Sequence, residues 1–140
     1  PEETARTLRG GWLHTGDMAY KDEDGYLFIV DRKKEMVIRG GENIYPKELE
    51  GILFTHPKVL EAAVIGMPHE KWQERPLACV VLSPGAAETV SEKDIIEYLQ
   101  ARVAKWWVPD RVVFLDAIPK TSVGKFDKKM LRATVLPQLA

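Results

Sequence analysis

At 140 residues the chain has room for one domain of ordinary size, or one domain with part of another. A hydrophobic content of 45% and a charged content of 29% allow a packed core, and the net charge of -1 gives no long-range attraction to nucleic acid or an anionic membrane. The single Cys79 excludes an internal disulfide, and with only three histidines no zinc cluster is expected. Apolar runs reach about six residues, far short of the roughly 20 that span a bilayer. The first residues are polar and lack an apolar stretch, so no secretory leader is expected and the compartment is read as reduced, soluble and cytoplasmic. Pro1-Glu2-Glu3 is not preceded by Met, which suggests a piece of a longer protein.

Residues 18–30 read as a hairpin, because Asp24-Gly25 is a tight-turn signal and Gly accepts a positive φ. Tyr26, Phe28 and Val30 alternate with Leu27 and Ile29, so the second strand is expected to be covered on both faces. A charge run follows at residues 31–35, then a small β unit, Met36-Val37-Ile38, ending at Gly40-Gly41. A break between two packed units is therefore expected at about residues 31 to 34.

Pro46 suits the first turn of a helix, with Leu49, Ile52 and Leu53 on one face and His56-Pro57 as its end. Leu60 to Ile65 and Leu77 to Leu82 look like central strands, with Met67 to Arg75 a polar loop between them. Ser91 and Asp94 predict a capping box, and Val90 and Ile95 a hydrophobic staple, for a helix that turns Ile95, Ile96, Leu99 and Val103 inward. Pro109 closes the connection to a third strand, Arg111 to Leu115. A loop from Pro119 to Lys125 then leads to a final helix capped by Asp127, with Met130 and Leu131 on its buried side. The order predicts an α+β fold: a small mixed sheet of about three strands, about three helices and a short β-hairpin.

Three segments carry more Gly and charge than packing requires: GGWLHTGD at 10–17, DRKKEMVIRGGENIYPKELE at 31–50 and IPKTSVGKFDKKMLR at 118–132. Taken singly, each has an ordinary explanation. Thr15-Gly16-Asp17 is a set of turn formers. Arg32 to Glu35 could be a solvated charge run, Gly40-Gly41 a plain turn, and Lys125 one of a basic group with Lys120, Lys128 and Lys129. Gly124-Lys125 is not a Walker phosphate loop, since Pro119 and Phe126 stand where that motif needs Gly and Ser or Thr. Trp72, Trp106 and Trp107 read as packing or interface residues, and Cys79 as inert core.

In order and spacing, however, the three segments resemble the late motifs of the adenylate-forming superfamily, over nearly the whole chain. The resemblance implies the C-terminal domain of an AMP-forming acyl-CoA synthetase, of the fatty-acid–CoA ligase type. Asp-Arg-Lys-Lys-Glu-Met and Gly-Gly-Glu-Asn-Ile-Tyr-Pro look more like the CoA ligases than like peptide-synthetase adenylation domains. It implies residues 1–31 as the end of a large N-terminal adenylating domain and residues 32–140 as the mobile C-terminal domain. Asp17 and Arg32 would bind the nucleotide, Lys34 would be the hinge, and Gly40, Gly41 and Glu42 would line the CoA channel.

Lys125 would be the catalytic residue. A carboxylate attacking the α-phosphate of ATP brings two anions together, and a mobile ammonium offsets their repulsion. ATP and CoA are implied as substrates. Mg2+ is expected with ATP and held mainly by the N-terminal domain, with no metal site in this chain. Transfer to a carrier-protein thiol, or a detached non-catalytic interaction domain, are the alternative readings. The piece alone is expected to be inactive. One departure concerns Gln73-Glu74, where the family often has Gly-Glu; it bears on the shape of the 70–75 loop and not on the chemistry.

Overall fold

A computed structural model describes residues 1–140, which form two compact units, Pro1–Lys34 and Glu35–Ala140.

The first unit contains helix α1 (Glu2–Thr7), a 3-10 turn at Arg9–Gly11, and strands β1 (Asp17–Lys21) and β2 (Leu27–Arg32). The two strands pair antiparallel from Asp17 opposite Arg32 to Lys21 opposite Leu27, with a register shift between Met18 and Ala19. Asp22 closes the connecting loop by accepting a 2.8 Å hydrogen bond from the Tyr26 backbone N–H. Tyr20 and Phe28 stack across the ribbon at 5.0 Å between ring centroids. The expected double cover of β2 is not found, since Leu27, Phe28 and Ile29 are all exposed. A two-stranded ribbon presents two faces and supplies no layer to pack on either.

The second unit holds β3 (Val37–Arg39), β4 (Glu42–Ile44), α2 (Pro46–Phe54), β5 (Val59–His69), β6 (Gln73–Leu82), α3 (Glu92–Gln100), β7 (Arg111–Phe114) and α4 (Lys128–Leu139). Its centre is β6, which pairs antiparallel with β5 along its length and parallel with β7 from Leu77 opposite Arg111 to Val80 opposite Phe114. The β3–β4 ribbon joins β6 through one pair, Arg39 opposite Gln73. This is the expected α+β arrangement, with the small hairpin attached to the mixed sheet.

Side-chain alternation explains why β5 and β6 read as continuous apolar runs. Ala62, Val64, Ala78 and Val80 face one way and pack with Leu49 and Leu53 of α2 and Ile95 and Leu99 of α3. Ala63, Ile65, Leu77 and Cys79 face the other way and pack with Ile118 and with Leu131 and Val135 of α4. With helices on both faces, a period of two needs apolar residues at every position. The Ser91–Asp94 capping box forms in both directions, and the staple residues Val90 and Ile95 are buried in the first of these cores.

Three local expectations are corrected. The segment 67–75 is mostly strand, because β5 continues to His69 and β6 begins at Gln73. Backbone pairing extends the strands past the helical layers, and polar side chains are compatible with it there. Strand β5, expected to be central, lies at the edge of the sheet, since it pairs with β6 alone. In α4, Met130 is exposed, and the buried stripe is Lys128, Leu131 and Val135. Those positions are spaced three and four apart, which is one face of a helix starting after the Asp127 cap.

Candidate functional site

Within the first unit, the antiparallel register sets Asp17 directly opposite Arg32. Their side chains meet at 3.5 Å between Arg32 Nε and Asp17 Oδ1. The Arg32 backbone N–H donates to the Asp31 carboxylate at 2.7 Å, and the Lys33 N–H donates to the Gly16 carbonyl at 2.8 Å. A cleft of about 730 Å³ opens here, with Arg6, Arg9, His14, Asp17, Lys33 and Lys34 among its lining. A carboxylate able to accept from vicinal hydroxyls thus lies among several cations, a combination suited to an anionic, hydroxyl-bearing ligand. Lys34 lies on the turn that ends this unit.

In the second unit, Gly40 and Gly41 form the β3–β4 turn with φ of +57° and +88°. Glu42 opens β4 and is exposed. A Cβ added at Gly40 would stand 2.9 Å from the Trp72 ring, so this position requires glycine for space as well as for conformation. Arg39 reaches from the same ribbon over the Trp72 ring and donates from Nη1 to the Trp106 carbonyl at 2.6 Å. Beside it is a cleft of about 420 Å³ lined by Arg39, Arg75, Lys105, Trp106 and Asp110, in which Arg75 and Asp110 are tied together as an ion pair.

Lys125 sits in a tight loop. Lys120 and Phe126 form an isolated bridge, the Thr121 N–H donates to the Lys125 carbonyl at 2.7 Å, and the Asp127 N–H donates to the Pro119 carbonyl at 2.7 Å. The neighbouring lysines differ sharply in their surroundings. Lys120 pairs with Glu61 at 2.7 Å, and Lys128 is buried against Glu50 at 2.5 Å. Lys125 and Lys129 are exposed, and neither ammonium is engaged in an ion pair. Lys125 is the one of these two held on the loop, where its backbone is fixed and its side chain is free. No hydrogen bond or ion pair joins this loop to the Gly40–Gly41 turn.

Sequence reasoning missed two residues that organise this unit. Lys128 had the look of a surface cation and is instead a buried one, and Glu74 reaches back to the β3 backbone at Ile38. Neither partnership has a local signal, since both join segments far apart in sequence. Cys79 is buried, and burial pushes its thiol up to about 12, which fits an unreactive core residue.

Residues 48–125 match the model of the AMP-binding enzyme C-terminal domain, and the chain belongs to that family. It is 42% identical over 134 residues to 2-succinylbenzoate–CoA ligase of Bacillus cereus, covering 96% of this chain and 27% of that protein. Among solved structures it is similar to ATP-bound MatB from Rhodopseudomonas palustris, with a TM-score of 0.88, 38% identity, and coverage of 100% of this chain and 28% of the other. It is also similar to a Mycobacterium tuberculosis fatty acyl CoA synthetase, with a TM-score of 0.75, 43% identity, and coverage of 99% and 27%. The chain thus spans about a quarter of the length of the proteins it matches. No helix is long and apolar enough to cross a membrane.

Proposed function

We propose that this chain works within a longer acyl-CoA synthetase that joins a carboxylic acid to AMP and then passes the acyl group to CoA. Residues 1–31 are the end of the large adenylating domain, and residues 32–140 are the mobile domain that serves both steps. The observation that carries the reading is the sorting of the lysines around 120–129: Lys125 alone combines a fixed loop with an exposed, unpaired ammonium.

In the first step the carboxylate attacks the α-phosphorus of ATP, the bond to the bridging oxygen breaks, and pyrophosphate leaves. Lys125 stabilises the negative charge on the approaching oxygens, and Asp17 and Arg32 hold the ribose. In the second step the CoA thiol, losing its proton, attacks the acyl carbon and AMP leaves. Rotation at Lys34 removes Lys125 and brings the Gly40, Gly41 and Glu42 turn to the pantetheine arm. The adjoining cleft, with Arg39, Lys105 and Trp106, has the charge and the ring surface to meet the CoA nucleotide. Support for a pivot at Lys34 comes from its position at the end of the first compact unit. Mg2+ would accompany ATP and be held mainly by the large adenylating domain, where it would neutralise phosphate charge.

The acid is proposed to be a fatty acid, a reading supported by the likeness to a fatty acyl CoA synthetase. ATP–pyrophosphate exchange by the intact enzyme, screened across fatty, aromatic and short-chain acids, tests the substrate class. Lys125→Ala in the same protein is expected to slow exchange by about 10²–10³-fold, the usual effect of deleting one such contact. Unchanged exchange would refute the assignment of Lys125. Thioester formation with CoA compared with a carrier-protein thiol tests the acceptor.

A further inference from the structure

The turn that carries Gly40 and Gly41 is tied to the sheet by little regular pairing, because β3 meets β6 at a single residue pair. Other contacts converge on it from the β5–β6 connection. Glu74 Oε2 accepts the Ile38 N–H at 3.0 Å, and the Trp72 carbonyl accepts the Gly40 N–H at 2.9 Å. The same Trp72 carbonyl accepts the Glu74 N–H at 2.8 Å, so both attachments share one backbone segment. The Glu74 carboxylate lies across the backbone of β5 at Gly66, where an added Cβ would come within 2.7 Å of Oε1. The absence of a side chain at Gly66 therefore gives the carboxylate its path to β3.

We propose that Glu74 is a positioning residue for the thioester-forming step, holding the Gly40–Gly41 turn at the height and angle that step requires. The proposal rests on the reading that this turn faces the CoA arm. A hydrogen bond from a charged acceptor to a backbone N–H is stronger than a neutral one and directional. Without it, the ribbon keeps one ladder pair, the Trp72 carbonyl contact, the Arg39–Trp106 hydrogen bond and its buried Val37 and Ile44, but its backbone loses the charged tie at Ile38 and the turn can tilt. A misplacement of about 1 Å in a positioning element can cost on the order of 10²-fold in rate. Lys125, on its own loop, does not depend on this attachment, so the first step is expected to be spared.

The test uses the full-length enzyme and separates its two steps. Adenylate formation is followed by ATP–pyrophosphate exchange, and acyl transfer by single-turnover reaction of preformed acyl-adenylate with CoA. Glu74→Ala and Glu74→Asp, the latter drawing the carboxylate back by one carbon, are expected to slow acyl transfer about tenfold or more while exchange stays within about twofold. Glu74→Gln, which keeps an oxygen acceptor at the same reach, is expected to retain most of the transfer rate. Equal losses in both steps, no loss of transfer in the Asp variant, or a Gln variant as slow as Ala would overturn the proposal. Gly41→Leu adds bulk to the same turn where no atom lies within 4 Å of a built Cβ, and because its φ of +88° strains any side chain, retained pyrophosphate exchange serves as the control that the variant is folded. If that variant slows transfer and Glu74→Asp does not, the role of Glu74 fails alone. If neither does, the reading of the turn fails with it.

Discussion

Lys128 Nζ lies 2.5 Å from Glu50 Oε1 and 3.5 Å from Glu35 Oε2, with its side chain only 7% exposed. Glu50 also accepts the Val64 N–H at 2.9 Å, so one carboxylate joins α2, the edge strand β5 and the start of α4. Glu35, the next residue after Lys34, adds the beginning of the second unit to the same charge cluster. The ammonium is compensated by two carboxylates, and its burial is tolerated for that reason.

Removing the ammonium leaves the Glu50 carboxylate with less compensation in a mostly buried site. Lys128→Ala is expected to destabilise the chain by about 3–5 kcal/mol, the range for breaking a buried pair from one side. Urea unfolding of the 140-residue chain measures it, and Lys129→Ala, at an exposed neighbour, is expected to change stability by less than about 0.5 kcal/mol. Equal effects at the two positions would contradict the burial of Lys128.

Gln73 has φ of +67°, the one non-glycine residue in the left-handed region. This is the position where the resemblance leads one to expect glycine, and the backbone takes a glycine-like conformation although the side chain is Gln. Left-handed geometry costs an L-residue about 1–2 kcal/mol, while glycine loses about 0.5–1 kcal/mol more chain entropy on folding. Gln73→Gly is therefore expected to stabilise the chain by about 0.5–1 kcal/mol, read as a higher urea midpoint. A lower midpoint would show that the Gln side chain contributes more than its backbone strain costs.

At Gly40 the expected sign is reversed. Alanine there meets the Trp72 ring at 2.9 Å while holding φ at +57°, so both sterics and backbone oppose it. Gly40→Ala is expected to cost about 1–3 kcal/mol and to shift the tryptophan fluorescence as the Trp72 ring moves. An unperturbed spectrum with full stability would rule out the close packing of Trp72 on this turn.

His56 supplies a pH dependence. Burial holds its pKa below the usual 6.5, the Lys58 and Arg102 charges act in the same direction, and Asp94 opposes them. Its neutral Nδ1 accepts the Lys58 N–H at 3.2 Å, and its ring meets Tyr98 edge-on at 4.7 Å. The folded state takes up this proton less readily than the unfolded chain. The contribution is therefore fully present above about pH 6.5 and is lost as pH falls through and below that value. Urea midpoints measured between about pH 5 and 8 are expected to decline on the acid side, and His56→Gln to flatten that decline. An identical pH profile in the variant would remove His56 as the cause.

Elements with a local cause were legible in the amino-acid order. Asp24-Gly25 turns, Pro46 starts a helix, Ser91 and Asp94 cap one, and the apolar runs of β5 and β6 form strands because short-range sterics and hydrogen bonds act within a few residues. The three Gly-rich, charged segments were also legible, as linear patterns that resemble a family. Only the folded chain decided that Lys128 is buried, that Glu74 holds Ile38, that Met130 faces water, and that Gln73 bears a positive φ. Each depends on which distant segment supplies the neighbour. A lysine carries the same letter whether water or two carboxylates surround it, and the packing of the sheet between its helices makes that choice.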